Sequence, residues 1–392
     1  MRTSAPAAPS IEAVAEVPPR PADEVEDILR SDSELAAWLA DGERRRIQVL
    51  IAVPDGKGSV LRSGYRVDRE YFYPASAVKL CVAFATLDKL DELNHAASAR
   101  FTPRTTVRYV TGQGRGRRVV NTTIQRDIEH ALVVSDNDAF NRLLDFVGPE
   151  ELAERLARRG LTSARIAHHL GDATTTTPTI ELLLADGTTE VVGQRIGFPI
   201  PPAPSASLGR AYRNERGRLV KEPMDFASKN AVRLQELQDM LIGVMRPDLK
   251  PDPADWQLRF RFLLVETLGL RPSDLDPGRI PRDGALDVQY KPLAVAIQSA
   301  LPDLDVSVSG KGGRAYGFAV ENAYVASEKT GRAFFVAATI YANDNDIMND
   351  DRYEYGAVAN PFLARLGVVL AQHLLLPPPS ATALTERNDE HR

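Results

Sequence analysis

Cysteine is almost missing from this chain: 392 residues carry one, Cys81. An intrachain disulfide framework and a thiolate zinc cluster are thereby excluded. Cys81 stands in an apolar run, which suits a buried structural thiol better than a nucleophile. Histidine is scarce as well. Of six, only His168 and His169 are adjacent. Read as strand neighbours, they would point to opposite faces and not converge on one ion, so neither a metal nor another cofactor is expected. There is no excess of positive charge. The formal net charge of −5 leaves no electrostatic footprint for nucleic acid or an anionic membrane. No run is expected to reach the roughly 18 apolar residues of a membrane span, the longest candidate, near 77 to 87, being cut by Lys79 and Asp88.

Apolar residues make up 43% and charged residues 26%, the balance of an ordinary globular protein. Residues 1 to 23, rich in Ala and Pro, read as a disordered leader without the apolar core of a secretory signal. Residues 24 to 42 show helical periodicity ending at Gly42, and "RIQVLIAV" and "SVLRSGYRV" form a strand pair about the turn "PDGKG". A helical region is expected over 122 to 160, broken at "SDND", Gly148-Pro149 and Gly160. Residues 165 to 215 look like an insertion with a hairpin at Asp186-Gly187. A helix fills 232 to 245, and 250 to 300 holds a second insertion of proline-broken helical pieces. Three strand runs, "DVSVSG", "YGFAVENAYVAS" and "RAFFVAATIYA", precede a terminal helix, and 376 to 392 read as a disordered tail. Strands at both ends of a helical middle predict an α+β fold over 24 to 375, with an antiparallel sheet in which N- and C-terminal strands pair.

The stretch "YFYPASAVKLCVAF" (71 to 84) puts Ser76 and Lys79 one turn apart inside a greasy helix. Serine is a poor nucleophile without a base, and positions i and i+3 share a face. Burial disfavours the ammonium and so makes lysine a base. Backbone N–H groups at a helix start can face a developing oxyanion. The same pattern also fits a snorkelling lysine covering apolar surface. A second feature, Ser135-Asp136-Asn137, reads equally as a helix cap. A third is a cationic turn, with two candidates: Lys311-Gly312-Gly313 and Lys329-Thr330-Gly331.

The order Ser-x-x-Lys, Ser-Asp-Asn, Lys-[Thr/Ser]-Gly resembles that of class A β-lactamases and penicillin-binding serine hydrolases. The 59 residues from Ser76 to Ser135 and the strand-to-helix entry "REYFYPASAVKL" are similar too. The resemblance covers 46 to 160, 225 to 245 and 305 to 375. In that family the Lys-Thr-Gly strand is followed by an intact hairpin, which selects Lys311 over Lys329. Gly312 then replaces a hydroxyl that in relatives helps hold a substrate carboxylate.

By resemblance, Ser76 is the acylated nucleophile, Lys79 its base or proton relay, and Ser135 the proton shuttle to the leaving nitrogen. Asn137 orients Lys79 and the substrate amide, Lys311 supplies positive charge to the substrate anion and to Ser135, the N–H groups of Ser76 and Arg314 form the oxyanion hole, and Gly313 counts among the substrate-binding residues. A deacylating glutamate would be Glu215 or Glu222. The resemblance implies a monomeric, periplasmic or secreted acyl hydrolase of a β-lactam or cell-wall peptide. β-Lactamase is its first reading. A D-alanyl-D-alanine carboxypeptidase, an esterase, or a cell-wall-peptide binding module without turnover are the alternatives.

Overall fold

The computed structural model describes residues 24–96, 100–171, 177–275 and 284–376. The expected leader and, Leu376 apart, the expected tail lie outside the described residues. Where one N-terminal helix was predicted there are two, α1 (Glu24–Ser31) and α2 (Ser33–Leu39). Asp32 divides them: its backbone is extended and its side chain accepts the Leu35 N–H at 3.0 Å, an N-cap. The hairpin β1 (Gln48–Pro54) and β2 (Val60–Tyr65) follows, then a 3-10 turn (Ala75–Val78) running into α3 (Lys79–Ala96). Nearly the whole circumference of α3 is buried, including Leu80, Cys81, Val82, Phe84 and Leu87. It is a central helix around which the rest packs.

β3 (Thr106–Thr111) and β4 (Arg118–Thr123) precede α4 (Ile124–Val133), α5 (Asn137–Val147) and α6 (Pro149–Ala157). The helical region thus begins at Ile124, after a strand the sequence reading had missed. The predicted hairpin at Asp186-Gly187 exists, as β5 (Thr179–Leu183) and β6 (Thr189–Val191). It does not stand apart: β5 pairs with β3, Val107 opposite Leu182, in a four-stranded sheet β4-β3-β5-β6. Four short strands come next: β7 (Ser207–Leu208), β8 (Ala211–Arg213), β9 (Leu219–Val220) and β10 (Met224–Asp225).

The helix α7 (Leu234–Met245) matches expectation, and the proline-broken pieces are α8 (Arg261–Gly269), α9 (Pro272–Leu275), α10 (Ala285–Tyr290) and α11 (Pro292–Ala300). The final strands are β11 (Val306–Gly310), β12 (Gly313–Ala315), β13 (Phe318–Ser327), β14 (Arg332–Tyr341) and β15 (Ile347–Met348). The last of these pairs with β8. α12 (Asn360–Leu375) closes the fold.

The main sheet has the order β11-β13-β14-β1-β2, all antiparallel, with β12 paired to β13. N- and C-terminal strands meet where Gln48 faces Thr339. Side chains alternate between two cores. One face buries Leu50, Phe318, Val320 and Phe335 against α3 and α7. The other buries Val49, Ala319, Val325 and Val336 against α1, α11 and α12. One expectation needs correcting here. The run Tyr355–Leu375, mean hydropathy 1.3, is long and apolar enough to cross a membrane by length and composition. Its residues Phe362, Leu366 and Leu370 are fully buried in the second core, as in a central helix of a packed protein.

Candidate active site

The site lies where the mouth of α3, the α4–α5 junction and β12 converge. Ser76 sits in the 3-10 turn, half-buried, and follows Ala75, whose φ of +48° is rare for a residue with a Cβ. Such strain persists only where the surroundings over-determine it. Lys79 begins the α-helix proper and is fully buried. Its Nζ donates to Ser135 O (2.5 Å), Asn137 Oδ1 (2.8 Å), Asp136 O (3.2 Å) and Ser135 Oγ (3.3 Å). It also lies 5.7 Å from the centre of the Phe140 ring. No carboxylate pairs with it among the described residues. Burial pulls its pKa down to about 7, against a smaller opposing pull from Asp136. Among the described residues, all the Nζ hydrogen bonds go to the Ser135–Asn137 segment, while the Lys79 backbone N–H donates to Ser76 O.

That segment both caps a helix and contacts Lys79, through different residues. Asp136 is the cap of α5, accepting the Ala139 N–H at 2.8 Å. Asn137 instead turns its oxygen to Lys79. Ser135 has φ +59°, a second left-handed residue beside the same amine.

The strand β12 closes the cleft. A Cβ on Gly313 would stand 2.4 Å from Ser76 N and 2.7 Å from Ala77 N, so only glycine lets this strand pass over the helix mouth. A Cβ on Gly312 would stand 2.6 Å from Val320 O, so this backbone excludes the Thr or Ser of the resembling family. Lys311 is buried, and its pKa is held well down by burial, with Lys79 and Lys291 adding repulsion and Glu321 opposing. The guanidinium of Arg314 donates to Asn360 Oδ1 at 2.5 Å and lies 5.8 Å from the centre of the Tyr355 ring. The rival Lys329 lies in the exposed turn between β13 and β14.

A cavity of about 560 Å³ is lined by Ser76, Ser135, Asn137, Gly312, Gly313 and Arg314. An adjoining one of about 410 Å³ shares Ser76, Asn137 and Arg314 and adds Tyr73, Gly171 and Tyr316. Neither candidate glutamate lines either cavity. Glu215 and Glu222 are exposed, Glu215 at the β8–β9 turn and Glu222 between β9 and β10. The acids that do line them are Asp351 and Glu321. Glu321 was missed, although a lone glutamate within the apolar run "YGFAVENAYVAS" was a visible signal.

His168 and His169 stand in a loop, not on a strand. His168 Nε2 accepts the Asn230 N–H at 3.0 Å, and its other ring nitrogen lies 2.6 Å from His169 O. His169 Nε2 lies 2.8 Å from Asp145 Oδ1. Both rings pin the segment leading to Leu170 and Gly171, His169 against α5 and His168 against the loop that precedes α7. Burial pushes the Cys81 thiol up to about 12, so it holds no thiolate near neutrality.

Residues 33–189 match the model of a beta-lactamase enzyme family. No curated protein sequence matches the chain. Among solved structures, the β-lactamase from Streptosporangium roseum has a TM-score of 0.50 at 18% identity, over 88% of this chain and 98% of that one. The β-lactamase from Sphaerobacter thermophilus has 0.48 at 13%, over 89% and 99%. The chromosome-encoded β-lactamase of Vibrio parahaemolyticus has 0.48 at 14%, over 86% and 97%. The fold is that of the β-lactamases.

Proposed function

Starting from a β-lactamase fold and a family match over 33–189, we propose that this chain is a serine acyl hydrolase working through an ester at Ser76. Ser76 Oγ attacks the carbonyl carbon of an amide, lactam or ester, and its proton passes to the neutral Lys79 amine. The N–H groups of Ser76 and Arg314 hold the oxyanion. The bond from the acyl carbon to the leaving nitrogen, or to the leaving oxygen of an ester, then breaks, and the proton travels from Lys79 through Ser135 Oγ to that leaving atom. Asn137 keeps Lys79 in place, and water finally hydrolyses the ester. By resemblance, the protein acts outside the cytoplasm, on a small β-lactam or cell-wall peptide.

A single observation carries this reading: the fully buried Lys79 amine, its pKa drawn down to about 7, makes hydrogen bonds to uncharged acceptors only. Glu215 and Glu222 lie outside the cavities beside Ser76, which favours slow hydrolysis of the ester, as in a peptidase, over fast β-lactamase turnover. Incubation with a fluorescent penicillin followed by intact-mass measurement tests it. The expected result is a covalent label, lost in Ser76→Ala and lasting longer than nitrocefin turnover by an efficient β-lactamase would allow. A label that survives Ser76→Ala, or none on the native protein, overturns it.

A further inference from the structure

The larger cavity beside Ser76 has one end that the acylation steps leave unused. Glu321, on β13 opposite Ala338, forms its wall there. It is 5% exposed in a strand otherwise lined by Phe318, Ala319 and Val320. Apart from the N–H of its neighbour Asn322, no donor among the described residues hydrogen-bonds to its carboxylate, and it enters none of the ion pairs among those residues. Three cations face it: Lys291 from the α10–α11 junction, Arg314 from β12, and Lys311 from the β11–β12 link. Two are engaged elsewhere. Lys291 donates to Leu268 O at 2.6 Å and Arg314 to Asn360 Oδ1 at 2.5 Å. A buried carboxylate with a single donor is under-satisfied, and here it looks into a cavity.

Gly312 is what opens it. Both carboxylate oxygens lie 3.5 Å from where a Cβ at position 312 would be. A side chain there would cover the carboxyl from above. With glycine, the acid is uncovered at the place where the resembling family keeps a hydroxyl for a substrate carboxylate. We propose that Glu321, together with Arg314, forms a leaving-group subsite that takes a primary carboxamide in preference to a carboxylate. The amide N–H donates to Glu321, and the amide oxygen accepts from Arg314. A carboxylate could satisfy the cation but would set two carboxylates against each other with no proton between them. The subsite rests on the reading of Ser76 as the reacting centre and of Ser135 as the donor to the leaving nitrogen, because Ser135 lines this cavity and not the adjoining one. Burial raises the Glu321 carboxyl to about 7, so it is an ionised acceptor at pH 8 and becomes a donor below neutrality.

Binding to the Ser76→Ala protein tests the subsite without needing chemistry. N-acetyl-alanyl-alaninamide and its free acid, in both stereochemical series, are titrated at pH 8 and followed by NMR. The amide is expected to bind on the order of tenfold more tightly, the range set by leaving a polar partner unmatched. Adding Glu321→Gln, which can donate as well as accept, should erase most of that preference. Lowering the pH to 6 in Ser76→Ala alone should erode it too, which keeps the test sound if the double variant folds poorly. Equal or tighter binding of the acid, a preference unmoved by both changes, or binding of neither compound overturns the subsite. Penicillin labelling of the native protein reports on Ser76 whatever the titrations show, so the two failures are separable.

Discussion

Two lysines on α3, ten residues apart, make the most instructive pair in the molecule. Lys79 and Lys89 are both buried, and burial lowers the pKa of both. At Lys89 the lowering is opposed by Glu151, whose Oε2 lies 2.9 Å from its Nζ, with the carbonyls of Gly193 (2.6 Å) and Val147 (3.3 Å) completing the shell. Arg155 ties the same glutamate to Asp88 and Glu92, at 2.6 Å from Glu151, 2.6 Å from Asp88 and 2.8 Å from Glu92. Lys79 has an equally complete shell of oxygens and no carboxylate. The surroundings of one lysine hold a charge; those of the other make it easy to lose. A counter-ion, not burial, separates structure from chemistry on this helix.

The pair breaks cleanly under mutation. Lys79→Met should lower the rate of Ser76 acylation by roughly 10²- to 10⁴-fold, the usual worth of a positioned base, measured by penicillin labelling under single-turnover conditions. Its melting temperature should move far less than that of Glu151→Gln, because no ion is left unpaired. Glu151→Gln strips Lys89 of its one ion-pair partner among the described residues and should destabilise by about 3–5 kcal/mol, read by urea titration, while acylation by the folded fraction stays at the native rate. The opposite pattern, with chemistry lost at Glu151 and stability at Lys79, would erase the distinction.

The sequence showed one half of this contrast better than the other. Lys79 was conspicuous because it interrupts an apolar run with Ser76 one turn before it. The hairpins β1–β2 and β13–β14 were equally plain, since their alternation and turns are local. β4 was not: Arg118 to Asn121 are exposed on a sheet edge, so burial leaves no period to read. Neither was the tie between Lys89 and Glu151, 62 residues apart and brought together by α6 packing on α3. Glu321 meets Gly312 only through the register that pairs Gly313 with Val320. A glutamate in an apolar strand signals a buried charge, but what it faces is decided by pairing, and register is not written in either strand alone.

The smallest effect sharpens the same contrast through pH. If the neutral Lys79 amine is the base, acylation should rise about tenfold per pH unit below its pKa of about 7 and flatten above it. The sign follows from burial: the ammonium is the disfavoured form, so raising the pH releases a proton from a site that holds it poorly and leaves the amine ready to accept one from Ser76. Glu321 titrates in the same range, raised to about 7 by burial, so the limb needs an owner. In Glu321→Gln that second titration is gone, and a limb that remains near 7 belongs to Lys79. Glu151→Gln should leave it in place too, because Lys89 lies a full ten residues along the helix behind its own shell of oxygens. A limb that vanishes with Glu321 would pass the role of titrating group from the helix to the strand, and the contrast between the two lysines would no longer explain the chemistry.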